Sequence, residues 1–208
     1  MTDDAKMFMN YRRLRHIKRC NNFPTNAGED VAQHSYYVTL MVMAFTDEYN
    51  TWVDSTDAEY TVIDSELALR KALLHDTDES ITGDIHWNIK HHSKAIHDEI
   101  TVATRDVMML SYGNAETLDD YRVMADCCKD GLEGEIVDIA DMLELGLYSW
   151  EECSLGNPYL KPMLDRCVKL VKEKPLYPVL VQASALFNSV MEIIESDYTV
   201  AEDLYILG

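Results

Sequence analysis

Apolar residues recur along most of this chain at steps of three and four, and hardly anywhere at steps of two. Val31, His34, Val38, Met41 and Phe45 make one such series, the period of a helix with a single buried face. Leu67, Ala68, Ala72 and Leu73 make a second, with Asp64 or Ser65 placed to cap its start. The same pattern predicts helices over about 88–110, 116–128, 133–154, 160–173 and 176–196. Turn-forming residues gather at the breaks: 21–28 with Pro24, Gly83, 112–114, 131–134, 156–158 and Pro175. The expected fold is therefore an all-α helical bundle. Repeats, low-complexity stretches and a convincing linker are lacking, and 208 residues suit one compact domain over 1–208.

One apolar run breaks its own rule. In ALLHDTDESITGDI, residues 72–85, a helix-like wall turns into a histidine and three carboxylates within a few residues. On a helix His75 and Glu79 are four apart and Asp76 and Glu79 three apart, so the three reach into the same space. His75 and Asp76 point about 100° apart and can bracket an ion between them. Imidazole nitrogen beside carboxylate oxygen is a donor set for first-row divalent metals. A His-Asp dipeptide alone is equally compatible with a salt-bridged helix end. In EDVAQHSYYVTLM, however, His34 occupies the ridge of Val31 and Val38, and in EIVDIADMLELGLYSW, Asp141 shares a face with Val137 and Leu145. A buried lone carboxylate costs several kcal/mol unless an ion or hydrogen bonds compensate. Three apolar helix faces each offering a ligand-type side chain is how helical bundles build metal centres.

Charge restricts what such a centre could serve. There are 37 acids against 18 Lys and Arg, a net charge of −19, which repels polyanions and argues against duplex nucleic acid as a partner. A small phosphate ester remains acceptable if a metal and a few cations reverse the field locally. RRLRHIKR, residues 12–19, holds five of the 18 cations. The spacing predicts Arg12, Arg15 and Arg19 on one helical face, either around a ligand or as a solvated basic surface. No apolar run reaches the roughly 18 residues of a membrane span, and the N-terminus lacks a signal-peptide layout, so a cytoplasmic protein without a membrane partner is expected. Five cysteines, an odd number without a CxxC pair, point to reduced thiols.

RCNNFPTNAGEDVAQHS, ALLHDTDESITGDI and VDIADMLE together resemble segments of the HD-domain metal-dependent phosphohydrolases, and within them the bacterial 5'-deoxynucleotidase subfamily. The similarity covers most of residues 10–150. It implies that His34, His75, Asp76 and Asp141 hold a divalent ion (Co, Mn, Zn, Mg or Fe), that Glu79 does acid/base chemistry, and that Arg19 and Asp84 contact phosphate and sugar. Lys90 matches a lysine that follows the TGD motif in relatives. The implied reaction releases a deoxynucleoside from its 5'-phosphate; related phage deoxyadenosine triphosphate triphosphohydrolases share the pattern and imply triphosphate release as the alternative. Relatives form oligomers, so a homo-oligomer is expected. Where both groups carry a bulky aromatic beside the arginine, this chain has Cys20, leaving Phe23, Tyr36 or Trp87 to fill the wall.

Two other classes bear on the same residues. A non-catalytic acidic protein would spread its acids over the surface and need no buried His, Asp and Glu set. A phosphodiesterase of the same superfamily would want a wider site, often with a second metal set. The extra histidines of HHSKAIH, residues 91–97, are spaced by five and six and do not align on a helix face.

Overall fold

The computed structural model describes residues 8–57, 59–86, 89, 92–112 and 127–197, apart from the side chains of 108–112. Among them helices dominate and no strand forms; Lys18 and Asp30 make an isolated antiparallel bridge. The helices are α1 (Val31–Ser55), α2 (Ser65–Leu74), α3 (Glu79–Thr82), α4 (Lys94–Tyr112), α5 (Gly131–Ser154), α6 (Lys161–Lys172), α7 (Tyr177–Ala183) and α8 (Ala185–Glu195). The all-α expectation holds, and the segment predicted over 116–128 falls almost wholly outside the described residues.

Starts and stops follow local chemistry. Asp30 caps α1 in a reciprocal box with Gln33, and Asp64 caps α2 by accepting from Leu67 N at 3.0 Å. Gly83 ends α3 at φ 72°, a conformation a side chain would resist. The predicted helix over 176–196 is two helices meeting at 114°, because Ser184 leaves the helical region. Its hydroxyl accepts from Phe187 N at 2.9 Å and donates to Glu48 at 2.6 Å, capping α8 and tying it to α1. At Gly131–Gly134 a break was predicted, yet α5 runs through. Gly134 is needed there for space, since a Cβ would lie 2.2 Å from the Lys129 carbonyl carbon. That approach brings the turn before α5 alongside the helix.

The core lies where α1, α2 and α5 pack, closed by α6, α7 and α8. Val38, Val42, Phe45, Ile136, Ile139 and Leu143 are buried at its centre, and Phe45, Phe187 and Tyr177 meet edge to face. No single described helix is long and apolar enough to cross a membrane. The bent pair α7–α8 passes that test only jointly, and Leu180, Phe187, Met191 and Ile194 turn its apolar side into the core.

The basic segment does not form the predicted helix. A 3-10 turn covers Leu14–His16, and residues 17–31 form a strap in which Arg19 N–H donates to Glu29 O at 3.0 Å and Val31 N–H to Ile17 O at 3.0 Å. Arg12 and Arg15 are exposed, while Arg19 turns inward. The strap is fastened to α5 by Glu152, a fully buried carboxylate that accepts from Asn26 N at 2.8 Å, Ala27 N at 2.6 Å and Asn157 Nδ2 at 2.7 Å.

Burial opposes ionisation of Glu152, but Asn157 and the Asn26 and Ala27 amides outweigh it and lower its pKa. A lowered folded pKa means that its contribution is complete above the ordinary glutamate value and is lost as pH falls through the folded one. Glu152→Gln, which turns an amide NH2 toward donors, is predicted to lower stability by about 2–4 kcal/mol at neutral pH. In denaturant titrations its difference from wild type should narrow below about pH 4.5; a gap independent of pH would contradict this account.

Candidate active site

Three helical elements deliver the sequence-predicted ligands to one buried point. His34 projects from the first turns of α1, His75 from the end of α2, Asp76 from the turn that follows, and Asp141 from the middle of α5. His34 Nε2 lies 3.1 Å from Asp141 Oδ1, 3.3 Å from His75 Nε2 and 3.6 Å from Asp76 Oδ2. His75 Nε2 is 3.3 Å from the same Asp76 oxygen. The stretch between α2 and α3 is a series of i to i+3 turns, with Thr77 N–H donating to Leu74 O and Glu79 N–H to Asp76 O. It stays close enough to helical to keep His75, Asp76 and Glu79 on one side.

The geometry suits a divalent cation. Both imidazoles use Nδ1 elsewhere, His75 on Ala72 O at 2.7 Å and His34 on Glu144, so both Nε2 atoms face the cluster. Ligands about 2.1 Å from an ion are separated by about 3.0 Å in an octahedron and about 3.4 Å in a tetrahedron. The four donor atoms here stand 3.1–3.6 Å apart along the pairs just given. His34, His75 and Asp141 form a group able to hold an ion.

Fixed charges surround this point. Arg19 Nη1 lies 3.1 Å from Asp76 Oδ2, and its Nη2 is 4.0 Å from Asp141 Oδ1. Burial would lower the Arg19 pKa, but Asp76 and Asp141 hold it above its ordinary value. Burial alone would raise Asp141; Lys129, His34 and His75 overcome that and hold it well below the carboxylate range. His34 is pulled down by burial and by Arg19, and up to about 9 by its hydrogen bonds to Asp141 and Glu144. Glu79 is shifted the other way. It is buried, its Oε2 meets no donor, and burial with the Asp76 charge raises it well above the usual range. A carboxyl that keeps its proton beside a cluster of anions is equipped to carry one.

Asp84 follows Gly83, is half-buried, and lies within electrostatic reach of Glu79 and Cys20. Lys90 lies outside the described residues, as does Trp87. Cys20, at φ 51°, is packed against Tyr148, Cys153 and Leu160 with Phe23 alongside, so its thiol belongs to a small apolar cluster. Tyr36 is 60% exposed on α1.

Sequence reasoning missed three residues. Lys129 Nζ meets Asp141 Oδ2 at 2.5 Å and Asp138 Oδ1 at 3.2 Å. Lys174 also pairs with Asp138, while Lys129 approaches Asp141 more closely than Arg19 does, and the Lys129 side chain is 42% exposed. Glu144, three residues beyond Asp141 on α5, is buried against His34. Its signal was the apolar stripe: positions 137, 141, 144 and 148 follow helical steps along the inward face. Glu29 lies beside Glu144, their carboxylates and a His34 ring nitrogen coming within 4.8 Å of one another, and burial followed by that neighbour's charge pushes it up to about 8.

Comparison with known proteins identifies the family and the fold. The model of the 5'-deoxynucleotidase YfbR-like family matches residues 6–197. A 5'-deoxynucleotidase of Shewanella oneidensis is 26% identical over 174 residues, which are 82% of this chain and 86% of that protein. An HD-domain phosphohydrolase from Listeria innocua superposes with a TM-score of 0.71 at 22% identity, over 92% of both chains. The cyanophage S-2L HD phosphohydrolase bound to dA and one catalytic Zn2+ ion gives a TM-score of 0.63 at 13% identity, over 90% of this chain and 95% of that one. The structural likenesses establish the HD-type helical fold.

Proposed function

This chain belongs to the 5'-deoxynucleotidase YfbR-like family, and we propose that it is a cytoplasmic, metal-dependent phosphohydrolase that releases deoxynucleosides from their 5'-monophosphates. The observation that carries the reading is the convergence of His34, His75, Asp76 and Asp141 beside an inward-facing arginine. Those four would hold a divalent ion. When bound, the ion supplies positive charge that polarises the phosphoryl group and acidifies water. The free state of all five cysteines suits the reducing cytoplasm.

The protein's own groups divide the remaining work. Arg19 offers a planar fork to the phosphate, fixed by the strap on one side and by Asp76 on the other. Lys129 adds a point charge at the rim beside Asp141. Glu79 carries a proton between the attacking water and the departing 5'-oxygen. Asp84 accepts from the 3'-hydroxyl of the sugar, and a wall too close for a 2'-hydroxyl there would select deoxynucleotides. Lys90 is assigned to the phosphate on its place after the TGD motif.

A screen of nucleoside mono-, di- and triphosphates with Mn, Co, Mg and Zn, with products resolved by chromatography, tests the reading. It predicts deoxynucleoside and phosphate from monophosphates; inorganic triphosphate as the product would instead select triphosphohydrolysis. Asp141→Ala should lose bound metal and activity together, and full occupancy with full activity would remove Asp141 from the centre. Glu79→Gln should keep metal while losing roughly 10²- to 10⁴-fold in kcat; normal turnover would exclude it as a proton carrier. Arg19→Lys should be impaired and Arg19→Ala more so, with metal content unchanged and exposed Arg12→Ala nearly silent. Equal kinetics for the two alanine variants would return Arg19 to a structural role.

A further inference from the structure

On the far side of His34 from Asp76 and Asp141 lies an acid that the chemistry above does not use. Glu144 follows Asp141 by three residues on α5, and its Oε2 meets His34 Nδ1. His34 is fully buried and Glu144 is 4% exposed. Glu29 lies close by, its carboxylate, that of Glu144 and a His34 ring nitrogen coming within 4.8 Å of one another, while its own backbone carbonyl accepts the Arg19 N–H at 3.0 Å. Two acids in such a position cost several kcal/mol of desolvation, which an apolar residue in the stripe of Leu143 and Leu147 would avoid.

Imidazole chemistry explains what the acids accomplish. A ring binds a cation through whichever nitrogen lacks a proton, and its second nitrogen decides which one that is. A carboxylate can only accept, so a ring nitrogen facing Glu144 keeps its proton. The proton displaced by an ion is then the one on Nε2, the atom that faces His75, Asp76 and Asp141. His75 receives the same service from Ala72 O, one of the carbonyls left without a helical partner at the end of α2. His34 stands inside α1, where carbonyls are committed to the helix. Its acceptor has to come from another element, and α5 supplies it one turn beyond Asp141.

We infer that Glu144 is the positioning residue of His34: with Glu29 beside it, it holds the Nδ1 proton and the ring plane so that Nε2 is the atom offered to the metal. The inference rests on the proposal that His34 is a metal ligand, and extends it to a residue outside the set of four assigned to the ion. Because Glu29 also takes the Arg19 amide, the same pair of acids links the metal's imidazole to the guanidinium assigned to phosphate.

The test is Co2+ binding by equilibrium dialysis, together with the visible absorption of the Co2+-loaded protein, which responds to ligand geometry. Wild type, Glu144→Gln and Glu144→Leu are compared. Glu144→Leu is expected to bind Co2+ about 10- to 100-fold more weakly, with an altered spectrum, as for other lost partners of metal-bound histidines. Glu144→Gln keeps the shape and a neutral acceptor, and is expected to fall between the two. At saturating Co2+ the KM for a deoxynucleoside monophosphate should stay near wild type, since Glu144 is not among the groups assigned to substrate. Wild-type affinity and spectrum in Glu144→Leu would overturn the inference; should that variant not fold, wild-type affinity in Glu144→Gln would overturn it alone. A wild-type protein that takes up no divalent ion under any condition would instead bring down the metal reading itself.

Discussion

A carboxylate removed from water must meet a positive charge or give up its own. Near the centre of this molecule Asp76, Glu79, Asp141, Glu144 and Glu29 are gathered around two imidazoles, with Arg19 and Lys129 as the facing cations. At an effective dielectric constant of about 20, two unit charges 4 Å apart interact by about 4 kcal/mol, so the imbalance is large on the scale of folding stability. The surrounding structure manages it in two ways. Glu79 and Glu29 are pushed toward their neutral forms, and Asp76 and Asp141 are held ionised against the remaining cations and imidazoles. A divalent ion held among the converging donors, as proposed, would complete the balance.

Other parts of the fold can be understood by what they hold around that cluster. The capping box at Asp30 fixes where α1 begins, and therefore the face on which His34 appears. Gly134 allows the turn carrying Lys129 to approach α5. Glu152 pins the strap that delivers Arg19, and does so as an ionised group paired only with amides, which leaves the cations of the strap free for the site or the surface. In a chain with a net charge of −19, an incoming phosphate is repelled at long range. Its capture depends on the few cations that face the cluster, within a Debye length of about 8 Å at physiological salt.

Much of this was legible in the sequence, for identifiable reasons. His34 and Asp141 interrupt apolar stripes at helical steps, and His75–Asp76 interrupts a third, so periodicity alone brings them inward; the structure then places the donor atoms of His75, Asp76 and Asp141 3.1–3.6 Å from His34 Nε2. Glu144 was hidden because an acid three residues beyond another acid resembles an exposed flank, and only knowing which side of α5 is buried separates them. Lys129 and Glu29 come from turns, where no period reports direction. The Arg12, Arg15 and Arg19 spacing suggested a helix that does not form, since the Lys18–Asp30 bridge and the hydrogen bonds to residues 17 and 29 draw that segment into a strap. The break at Ser184 was missed because the apolar pattern continues across it, while the cap that causes it depends on Glu48 from another helix.

The account turns on a cation that offsets the buried negative charge among His34, His75, Asp76 and Asp141. Thermal unfolding of chelator-stripped protein, titrated with Mn2+ or Co2+, measures that offset without reference to turnover. The account predicts a clear rise in melting temperature that saturates at one ion per chain and is absent in His34→Ala. Stripped and metal-supplied protein that unfold at the same temperature would contradict it.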